Sequence, residues 1–192
     1  MLKQFMKGFA MLLVMIVLTG VAYPLAVTGL AQLFFPHQAN GSLVYKGGQA
    51  VGSQLIGQNF SDLKYFQPRP SAAGKNGYDA TASGGSNFGP TNKDFLKSVA
   101  DRANNIRKEN GLSPNQAIPS DLVTASASGL DPDISPEGAM IQVPRIAKLR
   151  NLPVETVKNL VQQATTPRQL GIFGEPRINA LRLNLDLDSL TK

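Results

Sequence analysis

The 192-residue chain has no cysteine, no tryptophan and a single histidine, and from Gly8 through Tyr45 it has no charged side chain. Without cysteine there is no disulfide framework, no thiolate metal site and no thiol nucleophile, so the fold must hold by packing alone. The one histidine, His37, follows directly on the apolar run, which excludes a Ser-His-Asp triad inside a folded domain. No Gly-x-x-x-x-Gly-Lys-Ser/Thr segment occurs, so there is no P-loop. Clustered basic residues are also missing. The net charge of +6 falls to +4 for residues 36–192, 17 basic against 13 acidic, and these charges are interspersed, as on an ordinary solvated surface and unlike a nucleic-acid footprint.

What the chain does have is an uncharged run. Gly8–Phe35 supplies 28 residues, and about 20 apolar residues at ~1.5 Å rise each cross a hydrocarbon core of ~30 Å. A helix is the one single-segment solution, because it satisfies its own backbone groups where water is missing. Pro24 removes one N–H and crowds the carbonyl of Gly20, which predicts a kink or loosened turn there. Lys3, Lys7 and the terminal amine flank the near end and no charge appears at the far end before Lys46, so the positive-inside bias puts the N-terminus in the cytoplasm. The chain then divides into a cytoplasmic N-terminus (1–7), a single-pass transmembrane helix (8–35) and one extracytoplasmic α/β (α+β) domain (36–192). The alternative is a signal peptide whose cleavage releases a soluble binding or interaction domain, although an h-region is usually only about 7–15 residues long. Both readings export the domain.

Beyond the helix, Pro36 disfavours helical geometry at Phe35, and Asn40-Gly41 is a turn pair. Ser42–Lys46 and Gln49–Gly52 flank Gly47-Gly48, a two-residue hairpin signal. Residues 57–92 are rich in Gly, Ser, Asn and Pro, yet Phe60, Tyr65, Phe66, Tyr78 and Phe88 punctuate them. This composition predicts an ordered loop region pinned by buried rings. Thr91, with Asp94 three residues on, opens a helix whose stripe is Phe95, Val99, Ala103 and Ile106, ending before Gly111. Asp121–Ser128 reads as a short strand or extended segment. Ser135-Pro136-Glu137 starts a helix that runs to about Asn151 with a disturbance at Pro144, and Val154, Val157, Leu160 and Val161 form the face of another. Leu181, Leu183, Leu185 and Leu187 alternate with polar residues, predicting a half-buried strand.

Three constellations invite chemistry. In Ser83-Gly84-Gly85-Ser86-Asn87, successive backbone N–H groups could surround a phosphate; the competing reading is a bare glycine-rich turn. Asp131-x-Asp133-x-Ser135 imitates the start of a calcium loop but has Pro136 at the required glycine and Gln142 at the bidentate acid, so it reads as a cap for the next helix. Ile146–Val157 imitates a helix-turn-helix, but Lys158 is the one cation between Val154 and Thr166, which favours a structural helical hairpin.

Several segments then read together: Tyr23–Gly29, Phe35-Pro36 with Gln38–Ser42, Leu55–Gln58, Arg69–Ala72, Ser83–Asn87, Leu122–Ser126, Ser128–Asp131, and Gly174–Asn179 with Leu183–Leu185 and Leu187-Asp188. In this order they resemble the C subunit of the bacterial Kdp-type potassium-transporting ATPase, over nearly the whole chain. Gln67-Pro68 before Arg69, and Asp133 where His or Asn is common, depart from the pattern. The resemblance implies a non-catalytic accessory subunit of a high-affinity, ATP-driven potassium uptake complex in the bacterial cytoplasmic (inner) membrane. Its implied partners are a channel-like potassium-translocating subunit, an ATP-hydrolysing subunit and the lipid bilayer, with no nucleic acid. The implied role is to stabilise assembly and, chaperone-like, to raise the ATP affinity of the hydrolysing subunit. No metal and no cofactor of its own is implied; ATP enters through the family, with Ser83, Gly84, Gly85, Ser86 and Asn87 as the candidate phosphate contact. The chain itself carries no Asp-Lys-Thr-Gly-Thr phosphorylation motif, and one apolar span cannot enclose a pore.

Overall fold

A computed structural model describes residues 1–190 and divides the chain into two compact units, Met1–Val51 and Gly52–Lys192, of which the last two residues lie outside the described part. The first unit is built on one continuous helix. α1 (Leu2–Val17) passes through a π-helical turn (Leu18–Ala22) into α2 (Tyr23–Phe34). The widened turn sits just before Pro24, where the missing N–H leaves the ladder one donor short. Thr19 helps by donating its hydroxyl to Met15 O at 2.7 Å. The whole element, Leu2–Phe34, has 33 residues and a mean hydropathy of 2.3 over its best window, long and apolar enough to cross a membrane. It ends where Pro36 forces Phe35 out of helical geometry, and α3 (Pro36–Ala39) adds a single turn. Asn40 folds back on that turn, exchanging amide hydrogen bonds with Gln32 at 3.2 Å. β1 (Leu43–Lys46) and β2 (Gln49–Ser53) then pair. Gly47 and Gly48 both have positive φ (60° and 83°), the requirement of the two-residue turn that the sequence signals.

The second unit combines helices with one short ladder and long irregular segments. α4 (Lys93–Asn110) begins one residue later than the sequence suggests. Asn92, and not Thr91, is the cap, its Oδ1 accepting from Phe95 N–H at 2.9 Å. Ile106 is buried and Val99 and Ala103 pack against the core. Asp121–Ser128 forms no strand: a 3-10 turn (Ser120–Leu122) buries Leu122, and the rest is irregular. Ser135 caps α5 (Pro136–Met140) through Gly138 N–H at 2.9 Å. Pro144 cannot donate to Met140, so that helix stops and α6 (Val143–Arg150) restarts it, closing at Asn151 in the left-handed region. α7 (Val154–Ala164) buries Val157 and Val161 against α6, the structural helical hairpin expected.

The closing strand is a correction. Only Ile178 and Asn179 are extended (β4), pairing antiparallel with Asp133 and Ile134 (β3), and Leu181–Leu187 lies in α8 (Ala180–Ser189). Asn179 caps α8 through Arg182 N–H at 3.1 Å. The buried face is Ala180, Leu183, Asn184 and Leu187, which is helical spacing, with Leu181 beside it. Counting Asn184 as a surface residue is what makes the segment look like period two.

The core gathers Ile134, Ile146, Val157, Val161, Ile178, Leu183 and Leu187 around Phe66. Phe66 belongs to the glycine-rich region and confirms its pinning by rings. Tyr65 stacks under the Arg150 guanidinium at 4.6 Å, Phe60 lies 5.7 Å from Tyr65, and Tyr78 is half-buried. Phe88 departs from the expectation: it is exposed, covering only Phe95 at 6.2 Å.

Candidate functional site

Segments remote in sequence converge beside the core. Ser71 Oγ donates to Gly129 O at 2.5 Å and accepts from the N–H groups of Ala73 and Tyr78 at 3.1 and 2.7 Å. Tyr78 donates its phenol to Arg69 O, and burial pushes that phenol up to about 12. Arg69 forms an ion pair with Asp131 at 2.7 Å, and Asp131 also accepts from Asp133 N–H at 3.0 Å. Gly84 N–H and Ser83 Oγ both donate to Ser128 O, at 2.9 and 3.0 Å. Gly129 must be glycine: its φ is +67°, and a Cβ would lie 2.6 Å from Gly84 O and 2.7 Å from Ala73 N. The result is an open depression of about 560 Å³ whose lining includes Arg69, Ser126, Ser128 and Asp131. Arg69 lines it with its charge matched by Asp131, and the Ser126 and Ser128 hydroxyls lie 3.3 Å apart.

Of the candidate phosphate contacts, Ser83, Gly84 and Gly85 lie against Ser126–Ser128, while Ser86 and Asn87 are exposed, Asn87 at φ +53°. The amide of Gly84 is already donated within the fold, so the segment presents fewer free N–H groups than its sequence suggests. The Asp131-x-Asp133-x-Ser135 run disperses. Asp131 goes to Arg69, Asp133 to Arg177 Nε at 3.1 Å, and Ser135 caps α5 while donating to Asp121 at 3.0 Å. Burial first, and Asp131 second, push the Asp133 carboxyl upward. Among the described residues no cluster of three or more His, Cys, Asp or Glu side chains could hold a metal ion.

Two features escape sequence reasoning. The first is a layer of buried polar side chains that hold the irregular segment to the helices. Asn184 Oδ1 accepts from Phe66 N–H at 2.8 Å while its Nδ2 donates to Phe66 O at 2.9 Å. Gln142 serves Gln67 in the same way, at 2.8 and 3.2 Å. Arg145 donates to Asn110, Tyr65 O and Gln142 at 2.9, 3.2 and 2.8 Å. A cavity of about 230 Å³ opens beside this layer, with Arg102, Asn105 and Asn110 among its lining residues. The second is a hairpin, bridged at Thr166–Arg177 and Gln169–Phe173, whose tip exposes Leu170, Ile172 and Phe173. The signal available in the sequence was a cluster of apolar residues between Arg168 and Glu175.

Comparison with known proteins identifies the whole arrangement. A family model described as the K+-transporting ATPase, c chain, matches residues 5–189. The chain belongs to this family, KdpC. The matched region takes in both the apolar helix and every segment of the junction. Among relatives, the potassium-transporting ATPase KdpC subunit of Gemmatimonas aurantiaca is 54% identical over 191 residues, covering 100% of this chain and 95% of the relative. That of Mycobacterium tuberculosis is 53% identical over 190 residues, 99% and 100% of the two chains. That of Polynucleobacter asymbioticus is 54% identical over 189 residues, 97% and 99%.

Proposed function

We propose that this chain is a non-catalytic accessory subunit of an ATP-driven potassium transporter in the bacterial cytoplasmic membrane, anchored by Leu2–Phe34 with residues 36–192 outside. The observation that carries the reading is full-length membership in a family of potassium-transporting ATPase c chains. Lys3 and Lys7 at the near end of the apolar helix support the orientation. The junction supports a scaffolding role. Its Arg69, Asp131 and Asp133 side chains are engaged in ion pairs, and its serines hold backbone groups. The partners on this reading are a channel-like subunit that carries potassium and a subunit that hydrolyses ATP.

An influence on ATP affinity follows only indirectly. With a hydrocarbon layer of ~30 Å between the domain and cytoplasmic nucleotide, the domain acts by holding one conformation of the pump better than another, and the nucleotide responds through that population shift. Purification of the tagged chain in mild detergent tests the assignment. Both partners are expected to copurify, and recovery of a lone chain under those conditions refutes it. Comparing the KM for ATP with and without the chain tests the indirect effect.

A further inference from the structure

We propose that the hairpin Thr166–Arg177 is an assembly anchor whose tip, Leu170, Ile172 and Phe173, inserts into an apolar cleft on another subunit of the transporter. The proposal deepens the accessory-subunit reading and rests on it.

Three independent features of the tip support it. Leu170, Ile172 and Phe173, within four residues of one turn, are 87%, 73% and 62% exposed. A projection of large apolar side chains in water is a recognition surface more often than an accident. Leu170 also adopts φ +53°, a left-handed conformation that a bulky side chain resists and that glycine would take freely. Nothing within the tip turn requires leucine there, and the neighbouring Gly171, at φ +75°, shows how such a turn is made without strain. Finally, the stem is braced. Gln169 and Phe173 exchange backbone hydrogen bonds at 2.9 Å, and Arg168 and Glu175 form an ion pair at 2.5 Å.

The same features choose the occupant. A loop that seeks a membrane surface carries cations toward anionic headgroups. Here the cations of the stem are matched within the fold, Arg168 by Glu175 and Arg177 by Asp133. A bilayer also makes no demand on loop shape, whereas a held, strained shape suits a complementary cleft. The tip offers far less than the ~800 Å² per partner of a standard interface. It therefore works as a central anchor within a contact that a membrane helix already makes intramolecular in effect.

Photo-cross-linking in the assembled, full-length complex tests the proposal. With p-benzoylphenylalanine replacing Ile172, the expected product is an adduct to one partner subunit. Adducts to lipid alone, or none, overturn the proposal. Leu170→Gly supplies a test that survives misfolding of harsher variants. The free subunit should melt at the same temperature or higher, because strain is relieved, while retention in the detergent-solubilised complex on dilution should fall by roughly ten-fold, as for truncation of an interface anchor. Unchanged retention overturns the proposal. If the unmodified chain copurifies with partners and the tip does not cross-link, this inference alone fails; if the unmodified chain never copurifies, the accessory-subunit reading fails.

Discussion

Asn184→Leu isolates the part of the fold that pattern reasoning gets backwards. In an alternating-leucine segment, replacing a supposedly surface asparagine with leucine ought to be harmless, and in a hydrophobic core it ought to help. The structure says otherwise, because Asn184 is 2% exposed and its amide satisfies both backbone groups of Phe66, at 2.8 and 2.9 Å. Leucine fills similar space but leaves a buried N–H and a buried C=O without partners, at about 1–3 kcal/mol each, against roughly 1 kcal/mol recovered from apolar burial. The net loss is roughly 1–5 kcal/mol, a large share of the ~5–15 kcal/mol that holds a domain together. At ~2–4 °C per kcal/mol for a domain of this size, the melting temperature should fall by roughly 2–20 °C. The full chain in detergent micelles can be melted by far-UV circular dichroism. A transition within about 1 °C of the unmodified protein would refute the claim that side-chain amides hold this segment in place.

Other expectations follow from the junction. For Asp133, whose carboxyl is raised chiefly by burial and then by Asp131, the folded state binds its proton more tightly than the unfolded chain does. Its contribution is therefore greatest at acid pH and is lost as pH rises through the raised folded value. Asp133→Asn should be relatively more stable at pH 7 and lose that advantage below about pH 4, as paired pH melts would show. Gly129→Ala combines a left-handed backbone with a Cβ 2.6 Å from Gly84 O. It should cost about 2–4 kcal/mol and expose the amides of Gly84 and Tyr78 to hydrogen exchange. If Ser83–Asn87 contacts a nucleotide phosphate, calorimetry of the full chain with ATP should find millimolar binding, about −4 kcal/mol; micromolar affinity would contradict the indirect mechanism.

Legibility in the sequence tracks how local the determining physics is. The apolar helix, its loosened turn before Pro24, the Gly47-Gly48 hairpin and the Ser135 cap depend on neighbours a few residues away, and each is found where the residues imply. The cap of α4 slips by one because Asn92 and Thr91 are both competent acceptors and only the backbone path chooses between them. Phe88 looks like a pinning ring until the structure places it outside. The errors of kind lie where a polar residue belongs to the core. Asn184 is chemically indistinguishable in sequence from Asn179, yet one is buried in the helix and the other caps it. The junction was half-legible: its motifs were recognisable one by one, but nothing local says that Ser71, Ser83 and Ser128 meet.

On the accessory-subunit reading, the buried amides also bear on how a domain that does no chemistry of its own can matter. Residues 54–92 contain no regular helix or strand, and a segment so rich in glycine would ordinarily be soft. Here Asn184 and Gln142 fix Phe66 and Gln67 to the helices, Arg145 and Arg150 hold the carbonyls of the two residues before them, and Ser71 and Ser83 tie its far end to the 126–131 turn. A soft domain bound to a pump would follow every conformation at little cost and so bias none of them. Bias requires contacts that are better in one state than another, and those in turn require a body that does not relax to fit both. On the accessory-subunit reading, the side-chain amides therefore serve function through stiffness. Loosening them with Asn184→Leu should weaken any effect on ATP affinity even in complexes that still assemble.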